Sequence, residues 1–523
     1  MKTKAAILSL CALAVVAPRL EARENSLSGG GSITYEMYDK SGGESAENTG
    51  GEVEEAAAPQ AALSSDDDDD YSRIIISPVL TIKSIGDKNA VSLSYSPVLQ
   101  YGDDSDGDIQ QVVSITADWS PTSRWALSFR DSYQETDTDL DNVNMAGFTP
   151  QPATVQGGQG RGSGQSEQGA SVSQSSSDSQ LTDSPGRQKY STNDFEIAAT
   201  YTYWEDSSLK FGYGLEQLRY DNLIGSNQDY DKNTIFANIK HRLNSQYSLA
   251  AEARYAMGTF DDAAPIPVTD AVAPLAEGDA ALSQPDDNSY SPAASSDVDE
   301  LHFSTSLESL VIPHHPLSLT YTLDTSKYDD EGQGDTQIHA LLFGWTWEMS
   351  EKSTFTFSIG PSYQKNDGDE GDSWDYALNA AYSRRWSAAG DIVFSAAHGA
   401  EMRNFSGNAN DNGMTEYWRG GVNINQALSQ NLALNLMATA ADEDVSQSAS
   451  ITERELEDDL AAGGASNTRQ YTLGGGLSYN FARWYALGLN YSYTTQDGDL
   501  PEDNYDEHRL MLVLSMQRDF FHW

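Results

Sequence analysis

Apolar and polar side chains alternate along the chain from residue 71 to its end. In one row, Val91, Leu93 and Tyr95 alternate with Ser92 and Ser94. A period of two residues is that of a β-strand, because successive side chains point to opposite faces of a sheet. Apolar positions of other clear rows are Leu127, Phe129, Phe195, Ile197, Leu209, Phe211, Leu319, Tyr321, Phe355, Phe357, Leu477, Tyr479, Leu487 and Leu489. The pattern predicts an all-β protein.

The second face of these rows carries small side chains in strand after strand, chiefly Ser, Thr, Gly, Ala and Asn. A soluble β-sandwich also alternates, but it packs bulky side chains from both sheets into one core. The rows are about 10 to 14 residues long, which suits a tilted membrane strand better than the ~5–6 residues usual in globular sheets. We therefore predict a transmembrane antiparallel up-and-down β-barrel, with the sandwich as the alternative.

Short and long connections alternate between the rows. Tight turns are predicted at 86–89, 120–123, 205–207, 244–246, 313–316, 351–352, 388–390, 429–431 and around 483–484. Outer-membrane barrels have short periplasmic turns and longer extracellular loops. If the short turns are periplasmic, the strand that starts near Tyr71 runs towards the periplasm. It then needs an earlier strand that runs towards the cell exterior, and residues 31–39 can supply one. The total becomes about 20 strands, an even number as such barrels require, or 18 if one hairpin is false.

Tryptophan side chains flank the predicted tight turns, at Trp119, Trp125, Trp204, Trp347, Trp386 and Trp484. Indole rings prefer the membrane–water interface, so these positions predict a periplasmic aromatic girdle. The chain ends at Trp523, and a C-terminal aromatic residue on the last strand resembles the recognition signal of outer-membrane barrels. We expect barrel-assembly machinery and outer-membrane lipid as partners. Trp523 and Leu510 differ in parity, which either a bulge or a frayed end of that strand would reconcile.

Composition excludes other classes of protein. The chain has 31 Lys and Arg against 79 Asp and Glu, for a formal net charge of −48, which excludes nucleic acid as a partner because phosphate binding needs a basic face. After the N-terminal segment, no run approaches the ~18 consecutive apolar residues of a transmembrane helix. With 38% hydrophobic residues, the chain is too apolar to be disordered throughout.

The N-terminus has the pattern of an export signal. Lys2 and Lys4 precede an apolar run, and a small residue, Ala22, ends a plausible cleavage site. Lipoprotein processing at Cys11, the only cysteine, is the alternative. We predict a signal peptide over 1–22 and a single barrel over 23–523, located in the outer membrane of a Gram-negative-type bacterium. The predicted mature chain has no cysteine.

Three long connections are predicted to be mobile and extracellular, at 41–70, 135–191 and 261–300. The first and third are strongly acidic and contain no basic residue, and the second includes a Gly/Ser/Gln-rich stretch. Segments of this composition cannot bury enough apolar surface to fold alone. Acidic runs at 103–108 and 367–372 resemble calcium loops but lack EF-hand spacing, so solvated loops are the favoured interpretation over cation sites.

No catalytic, cofactor or metal motif stands out in the sequence. The histidines have no HExxH spacing, and no Gly-x-Ser-x-Gly elbow or phosphate loop follows a strand. We therefore predict neither an enzyme nor a cofactor, although a site built from separate strands would escape spacing arguments. The candidates for lining the lumen are Asp118, Arg130, Glu196, Lys210, Arg254, Asp324, Asn379, Arg385, Arg403 and Arg419.

The region 71–135 resembles a known group of families. Its motifs are Ser77-Pro78, Tyr95-Ser96-Pro97, Leu99-Gln100-Tyr101 and the run from Ala117 through Pro121-Thr122-Ser123-Arg124-Trp125. They resemble the outer-membrane β-barrel porin families found near exopolysaccharide and exosortase clusters. The resemblance implies an outer-membrane barrel that acts as a pore or exports surface polysaccharide, with periplasmic export partners. The tetratricopeptide-repeat domain of some polysaccharide exporters is missing here.

The leading function is therefore diffusion or export of hydrophilic solutes through the barrel. A barrel of ~16–18 strands already leaves an aqueous channel, so a larger one should leave a wide lumen unless it is plugged. The alternatives are a non-transporting surface protein whose acidic loops bind cations, and a scaffold barrel around a partner.

Overall fold

The computed structural model describes residues 24–42, 71–102, 109–137, 189–221, 228–261, 297–329, 334–366, 372–405, 413–446, 466–498 and 504–522. The predicted signal peptide and the acidic runs at 103–108 and 367–371 lie outside the described residues, as do most of the three long connections. Within the described ranges, no helix is long and apolar enough to cross a membrane.

The described residues form 20 β-strands. The strands are β1 (Glu24–Gly42), β2 (Tyr71–Ile85), β3 (Asn89–Gly102), β4 (Ile109–Thr122), β5 (Trp125–Asp137), β6 (Lys189–Trp204), β7 (Ser207–Tyr220), β8 (Asp229–Arg242), β9 (Tyr247–Asp261), β10 (Val298–Ser309), β11 (Leu317–Tyr328), β12 (Thr336–Ser350), β13 (Ser353–Asn366), β14 (Ser373–Ser387), β15 (Gly390–Arg403), β16 (Gly413–Ala427), β17 (Leu432–Ser446), β18 (Ser466–Ala482), β19 (Tyr485–Gly498) and β20 (Tyr505–His522).

Every strand pairs antiparallel with its neighbours in sequence, and β1 also pairs with β20. The sheet is therefore a closed up-and-down barrel, which leaves no exposed sheet edge around its circumference. The predicted strand number of 20 is confirmed. The first strand is longer than the predicted 31–39, because β1 begins at Glu24 and continues to Gly42.

The strand ends extend into the three connections that the sequence predicted as loops. β1 ends at Gly42, β5 ends at Asp137, β6 begins at Lys189, β9 ends at Asp261 and β10 begins at Val298. A few residues at each described edge of the predicted connections 41–70, 135–191 and 261–300 therefore belong to strands rather than to loops.

The alternation of the sequence maps onto the two faces of the wall. The ladder pairs Ile33 with Ile76 and Leu514, and these side chains point outward. Their sequence neighbours point inward, and among them Thr34 is buried within the barrel. Followed around the whole sheet, this register places Leu93, Phe129, Phe211, Phe357 and Leu489 on the outer face. Apolar exposure on the outside is the arrangement that lipid requires.

Two prolines interrupt the ladder between β2 and β3. Pairing passes from Ile76 opposite Leu99 to Leu80 opposite Tyr95, which leaves Pro78 and Pro97 between the paired positions. Proline has no N–H to donate to a ladder. The two Ser-Pro motifs of the sequence thus mark a local gap in hydrogen bonding within a continuous wall.

Aromatic side chains surround the outer face near the short turns. Trp119, Trp125, Trp204, Trp347 and Trp386 are exposed there, as the girdle prediction requires. Trp484, in the turn between β18 and β19, is half-buried, and the guanidinium groups of Arg483 and Arg518 lie over its ring.

Tyrosines with polar partners surround the outer face near the long connections. Their hydroxyls contact side chains on adjacent strands, in the pairs Tyr213–Asn233, Tyr255–Asp299, Tyr321–His339, Tyr491–His508 and Tyr493–Asp506. An amphipathic ring with a bonded hydroxyl suits the interface between hydrocarbon and water. The apolar band therefore lies between two aromatic girdles.

A bulge occurs in the last strand, which is one of the two explanations left open by the parity of Leu510 and Trp523. In the pairing of β20 with β1, Asp519 lies opposite Ser28, whereas Phe521 lies opposite Leu27. The extra residue, Phe520, packs over Gly29, where a β-carbon would overlap the phenyl ring. A bulge of this kind changes which face the following residues occupy. Trp523 lies outside the described residues.

Candidate pore and its lining

The inner wall of the barrel is the candidate functional site. The register puts all ten positions predicted to line the lumen on this wall, and their role in permeation stays a prediction. They are Asp118 on β4, Arg130 on β5, Glu196 on β6, Lys210 on β7, Arg254 on β9, Asp324 on β11, Asn379 and Arg385 on β14, Arg403 on β15 and Arg419 on β16.

Opposite charges alternate along part of this wall. Arg130 lies directly opposite Glu196 in the β5–β6 ladder, and Lys210 Nζ lies 3.4 Å from Glu196 Oε1. Cross-strand neighbours of opposite charge attract each other and fix long side chains against the wall. Three of the predicted residues thus form one connected group, although their positions in the sequence are far apart.

A second group crosses β9, β10 and β11. Arg254 lies opposite His302, and His302 lies opposite Asp324. His302 Nδ1 and Asp324 Oδ1 are 2.5 Å apart, and Arg254 Nη2 is 3.3 Å from Glu252 Oε1. The sequence analysis did not select His302 or Glu252, although both occupy the small polar face that the alternation defines.

These inward-facing charges are open to solvent. The exposed fraction of the side chain is 55% for Arg254, 42% for Lys210 and 38% for His302. Ionised groups remain charged at low cost only where water reaches them. The interior along β6–β11 therefore combines solvent-exposed polar groups with a buried apolar cluster, which consists of Tyr190, Leu218, Tyr220 and Tyr230.

The other predicted positions are more dispersed. Asp118 lies near a short turn, and Arg385 lies opposite Asp391 beside the turn between β14 and β15. Asn379 lies opposite Ser358 on one side and Ala397 on the other. The structure brings none of these three together with another of the predicted residues.

Arg403 and Arg419 belong to one ion-pair group, which we call the hairpin cluster and which also includes Glu401 and Glu443. Arg419 Nη2 lies 2.7 Å from Glu401 Oε1, and Arg419 Nε lies 2.8 Å from Glu443 Oε1. Arg403 contacts the same two carboxylates, each at 2.8 Å. Each arginine therefore joins carboxylates on β15 and β17, which stabilises the β15–β16 hairpin against β17.

A second ion-pair group, which we call the closure cluster, lies outside the ten predicted positions and consists of Glu36, Arg73, Glu507 and Arg509. Arg73 Nε lies 2.6 Å from Glu36 Oε2, and Arg509 Nε lies 3.3 Å from Glu36 Oε1. Arg509 Nη2 lies 3.2 Å from Glu507 Oε1. Glu36 thus joins β1 to β2 and to β20 where the first and last strands meet. Alternation puts these residues on the polar face, but it cannot show that opposite ends of the chain are adjacent.

Part of the inner wall carries no charge. On the described parts of β3, β18 and β19, every inward-facing position is uncharged. A cavity of about 530 Å³ lies against this part of the wall, lined by polar residues such as Ser32, Thr34 and Asn490 and by apolar residues such as Ile75 and Val513. The closure cluster on β1, β2 and β20 lies between the uncharged strands β19 and β3.

Within the described ranges, no group of three or more His, Cys, Asp or Glu side chains is placed to hold a metal ion.

Comparisons with known proteins concern the overall architecture. No protein-family model matches the chain, and no curated protein sequence matches it. Among solved structures, the siderophore receptor PirA from Pseudomonas aeruginosa is similar at 10% identity and a TM-score of 0.44, covering 96% of this chain and 82% of that one. OpdL from the same organism has 10% identity and a TM-score of 0.39, covering 95% and 99%. A BenF-like porin from Pseudomonas fluorescens Pf-5 has 10% identity and a TM-score of 0.40, with coverage of 95% and 99%. Similarity at these identities and TM-scores concerns the fold and carries no information about substrate or activity.

The geometry of the wall itself determines where the protein lies. A closed barrel pairs its backbone groups between strands and has no free sheet edge, which is a condition for crossing hydrocarbon, and the described ladders run around the whole circumference with local gaps such as that between β2 and β3. An apolar outer band between two aromatic girdles and an even number of strands are the features of bacterial outer-membrane barrels. The protein is an outer-membrane β-barrel.

Proposed function

We propose that the chain forms a water-filled pore through which hydrophilic solutes cross the outer membrane. The observation that carries the proposal is the exposure to solvent of Arg254, Lys210 and His302, which point into the barrel. A barrel of ~16–18 strands already encloses an aqueous channel, and this one has 20. Export of surface polysaccharide, which the sequence resemblance implies, remains a narrower prediction within this proposal.

The test is the conductance of purified protein in planar bilayers. We expect discrete conductance steps, and an Arg254→Asp variant should shift the reversal potential in a salt gradient towards cation preference, because it reverses a charge exposed in the lumen. Lys327→Asp is a matched control, since Lys327 is exposed on the outer face of β11. An equal shift in both variants, or folded protein without conductance, would contradict the proposal and favour a surface-binding or scaffold barrel.

We also propose that the end of β20 is the segment that barrel-assembly machinery recognises. Phe520 and Phe521 are exposed on the outer face at the end of this strand, which supports the proposal. Deleting the C-terminal Trp523 should reduce the amount of heat-modifiable barrel in outer membranes, whereas Trp374→Ala, on the outer face far from this end, should leave it unchanged. Normal assembly without Trp523 would exclude a role for the terminal residue.

A further inference from the structure

The wall of the barrel is incomplete between β14 and β15. β14 begins at Ser373 and β15 continues to Arg403, yet the ladder between them starts only at Leu378 opposite His398. On its other side, β15 stays paired with β16 up to Arg403 opposite Gly413. The upper end of β15, next to the connection 404–412, has therefore separated from β14 while it keeps its pairing with β16.

The residues at this end contact strands on a distant part of the wall. We call Met402–Phe405 the crossing segment. The hydroxyl of Thr336 on β12 donates to Met402 Sδ at 3.2 Å. Asn404 Nδ2 donates to Glu300 Oε1 on β10 at 2.7 Å and to Ser326 Oγ on β11 at 2.6 Å.

Asn404 is tightly enclosed by these partners. Its side chain is 2% exposed, and its Oδ1 accepts a hydrogen bond from the Tyr328 hydroxyl. Glu300, Ser326 and Tyr328 all belong to the inward-facing parity of β10 and β11. The amide therefore uses both its donor and acceptor groups on the inner wall, which is the bonding expected of a fixed contact.

Phe405 is held by aromatic and cationic groups. Its ring centroid lies 5.8 Å from that of Phe260 and 5.7 Å from that of Tyr230, and Lys232 Nζ lies 4.0 Å from the ring centroid. Below the ring is Gly258 of β9, where a β-carbon would overlap Phe405 Cε1. Only glycine leaves room for the phenyl group at this position.

These contacts require the segment to lie inside the barrel. Phe405 follows β15, whereas Tyr230 and Lys232 belong to β8, seven positions away around the sheet. Neighbouring strands are roughly 4.8 Å apart, so the path along the wall is on the order of 30 Å. A segment of four residues extends at most about 14 Å and cannot follow that path, so it turns into the barrel near the long-connection end and meets the inner faces of β8–β11 there.

His398 occupies the point where β15 leaves β14. Its Nε2 lies 3.1 Å from Asp375 Oδ2, and its Nδ1 lies 3.0 Å from the Tyr417 carbonyl oxygen. The ring stacks on Trp418 at 4.2 Å between centroids. Both ring nitrogens thus have partners, which holds the strand in its diverging position.

We propose that the crossing segment is the constriction that sets the size limit of the pore. This inference rests on the proposed pore function for its physiological meaning, whereas the position of the segment can be tested without any conductance. Asn404 and Phe405 fix the segment to the inner wall, and Gly258 supplies the space that Phe405 needs.

The position is tested with cysteine pairs, because the predicted mature chain has none. Asn404→Cys with Ser326→Cys should form a disulfide in isolated outer membranes, since the two native side chains are 2.6 Å apart. If β15 instead paired with β14 to its end, continuing their register would put residue 404 opposite Asp372. Asn404→Cys with Asp372→Cys is therefore the matched control, and cross-linking of this pair in place of the first would overturn the proposal.

The effect on permeation is tested by releasing the segment from its partner. Gly258→Leu should displace Phe405, raise single-channel conductance and admit larger neutral polymers. Phe405→Ala should change both quantities in the same direction. Gly214→Leu is the control, since Gly214 also faces inward but a β-carbon there would find its nearest neighbour, the Phe195 carbonyl oxygen, at 3.6 Å. This control should not raise the polymer cut-off.

The outcomes separate the two proposals. Wild-type protein without conductance together with a conducting Gly258→Leu variant would reject an open resting pore and support the constriction. The 404–326 disulfide in a protein that never conducts would reject the pore function but retain the position of the segment. Conducting, folded Gly258→Leu and Phe405→Ala variants with an unchanged size limit would overturn the constriction.

Discussion

The two arginine–glutamate clusters of the inner wall have similar composition but different surroundings. In the closure cluster, the side chains of Glu36, Arg73 and Arg509 are at most 4% exposed, and they lie across the continuous ladders β20–β1–β2. In the hairpin cluster, Arg403 is 7% exposed, but Arg419, Glu401 and Glu443 are 23%, 26% and 20% exposed, and the adjacent β14–β15 ladder is broken. The closure cluster therefore joins the first and last strands of the barrel. The hairpin cluster instead stabilises β15, whose end has separated from β14.

The difference shows how burial determines what an ion pair does. A charge taken out of water must be matched by a partner, and removing that partner is more costly than never having had the pair. A pair that water reaches contributes less to stability, but its charge acts on ions in the lumen. We infer a structural role for the closure cluster and an electrostatic role for the hairpin cluster.

The largest effect is expected from Glu36→Gln. This substitution leaves Arg73 without the carboxylate at 2.6 Å and Arg509 with Glu507 alone. Breaking a buried pair typically costs about 3–5 kcal/mol. Urea unfolding of the barrel in lipid vesicles should show a loss of this size. The matched Glu443→Gln variant should lose less than half as much, because both arginines retain Glu401 and Arg419 is partly solvated. Equal losses would remove the distinction between the clusters.

A charge introduced on the outer face provides a reference for the losses in unfolding free energy expected at the two clusters. Phe357→Arg places a guanidinium group against lipid, which should cost about 2–4 kcal/mol if the position lies near the middle of the membrane. The adjacent Ser358 faces inward, opposite Asn379 and Gly344, so Ser358→Arg should cost much less and lower the conductance instead. Both are measured by the same unfolding assay. A reversed order would show that the register of β13 is assigned to the wrong faces.

The third prediction concerns ion selectivity. Arg419→Gln leaves Glu401 and Glu443 with one arginine fewer, which makes the partly exposed hairpin cluster more negative and should increase cation preference. Arg509→Gln makes the same change in charge where the side chain is 2% exposed, so its effect on reversal potential should be smaller. Reversal potentials at low salt measure both effects. Indistinguishable shifts would mean that burial does not screen the closure cluster from permeating ions.

Alternation was enough to predict the number of strands and the faces of the clearest rows. Phe357 and Ser358 could be assigned to opposite sides of the wall because a strand has a period of two, and the parity of Leu510 and Trp523 required either a frayed end or a bulge such as the one found beside Phe520. The start of β1 was missed, since Gly29, Gly30 and Gly31 carry no side chain that could show alternation.

Contacts across the barrel could not be predicted in the same way. Asn404 bonds to Ser326 and Glu300, and no local pattern relates positions so distant in sequence. The closure cluster could not be predicted for the same reason. Glu36 and Arg509 belong to opposite ends of the chain and meet only when the barrel closes. Sequence thus predicts which face a residue occupies, whereas the inward turn of one strand end depends on packing between distant strands.

The smallest expected effect concerns the response of the two clusters to salt. Mobile ions screen exposed charges, and the Debye length falls from ~30 Å at about 0.01 M to ~3 Å at about 1 M salt. The stability difference between wild type and Glu443→Gln should therefore shrink as salt rises, because Glu443 and Arg419 are 20% and 23% exposed. The difference between wild type and Glu36→Gln should change little, since the Glu36 side chain has no exposed surface. Urea unfolding of both variants across this range of salt is the measurement. A parallel decline in both differences would show that ions reach the closure cluster as readily as the hairpin cluster, and the structural role inferred for burial at the β1–β20 junction would then be wrong.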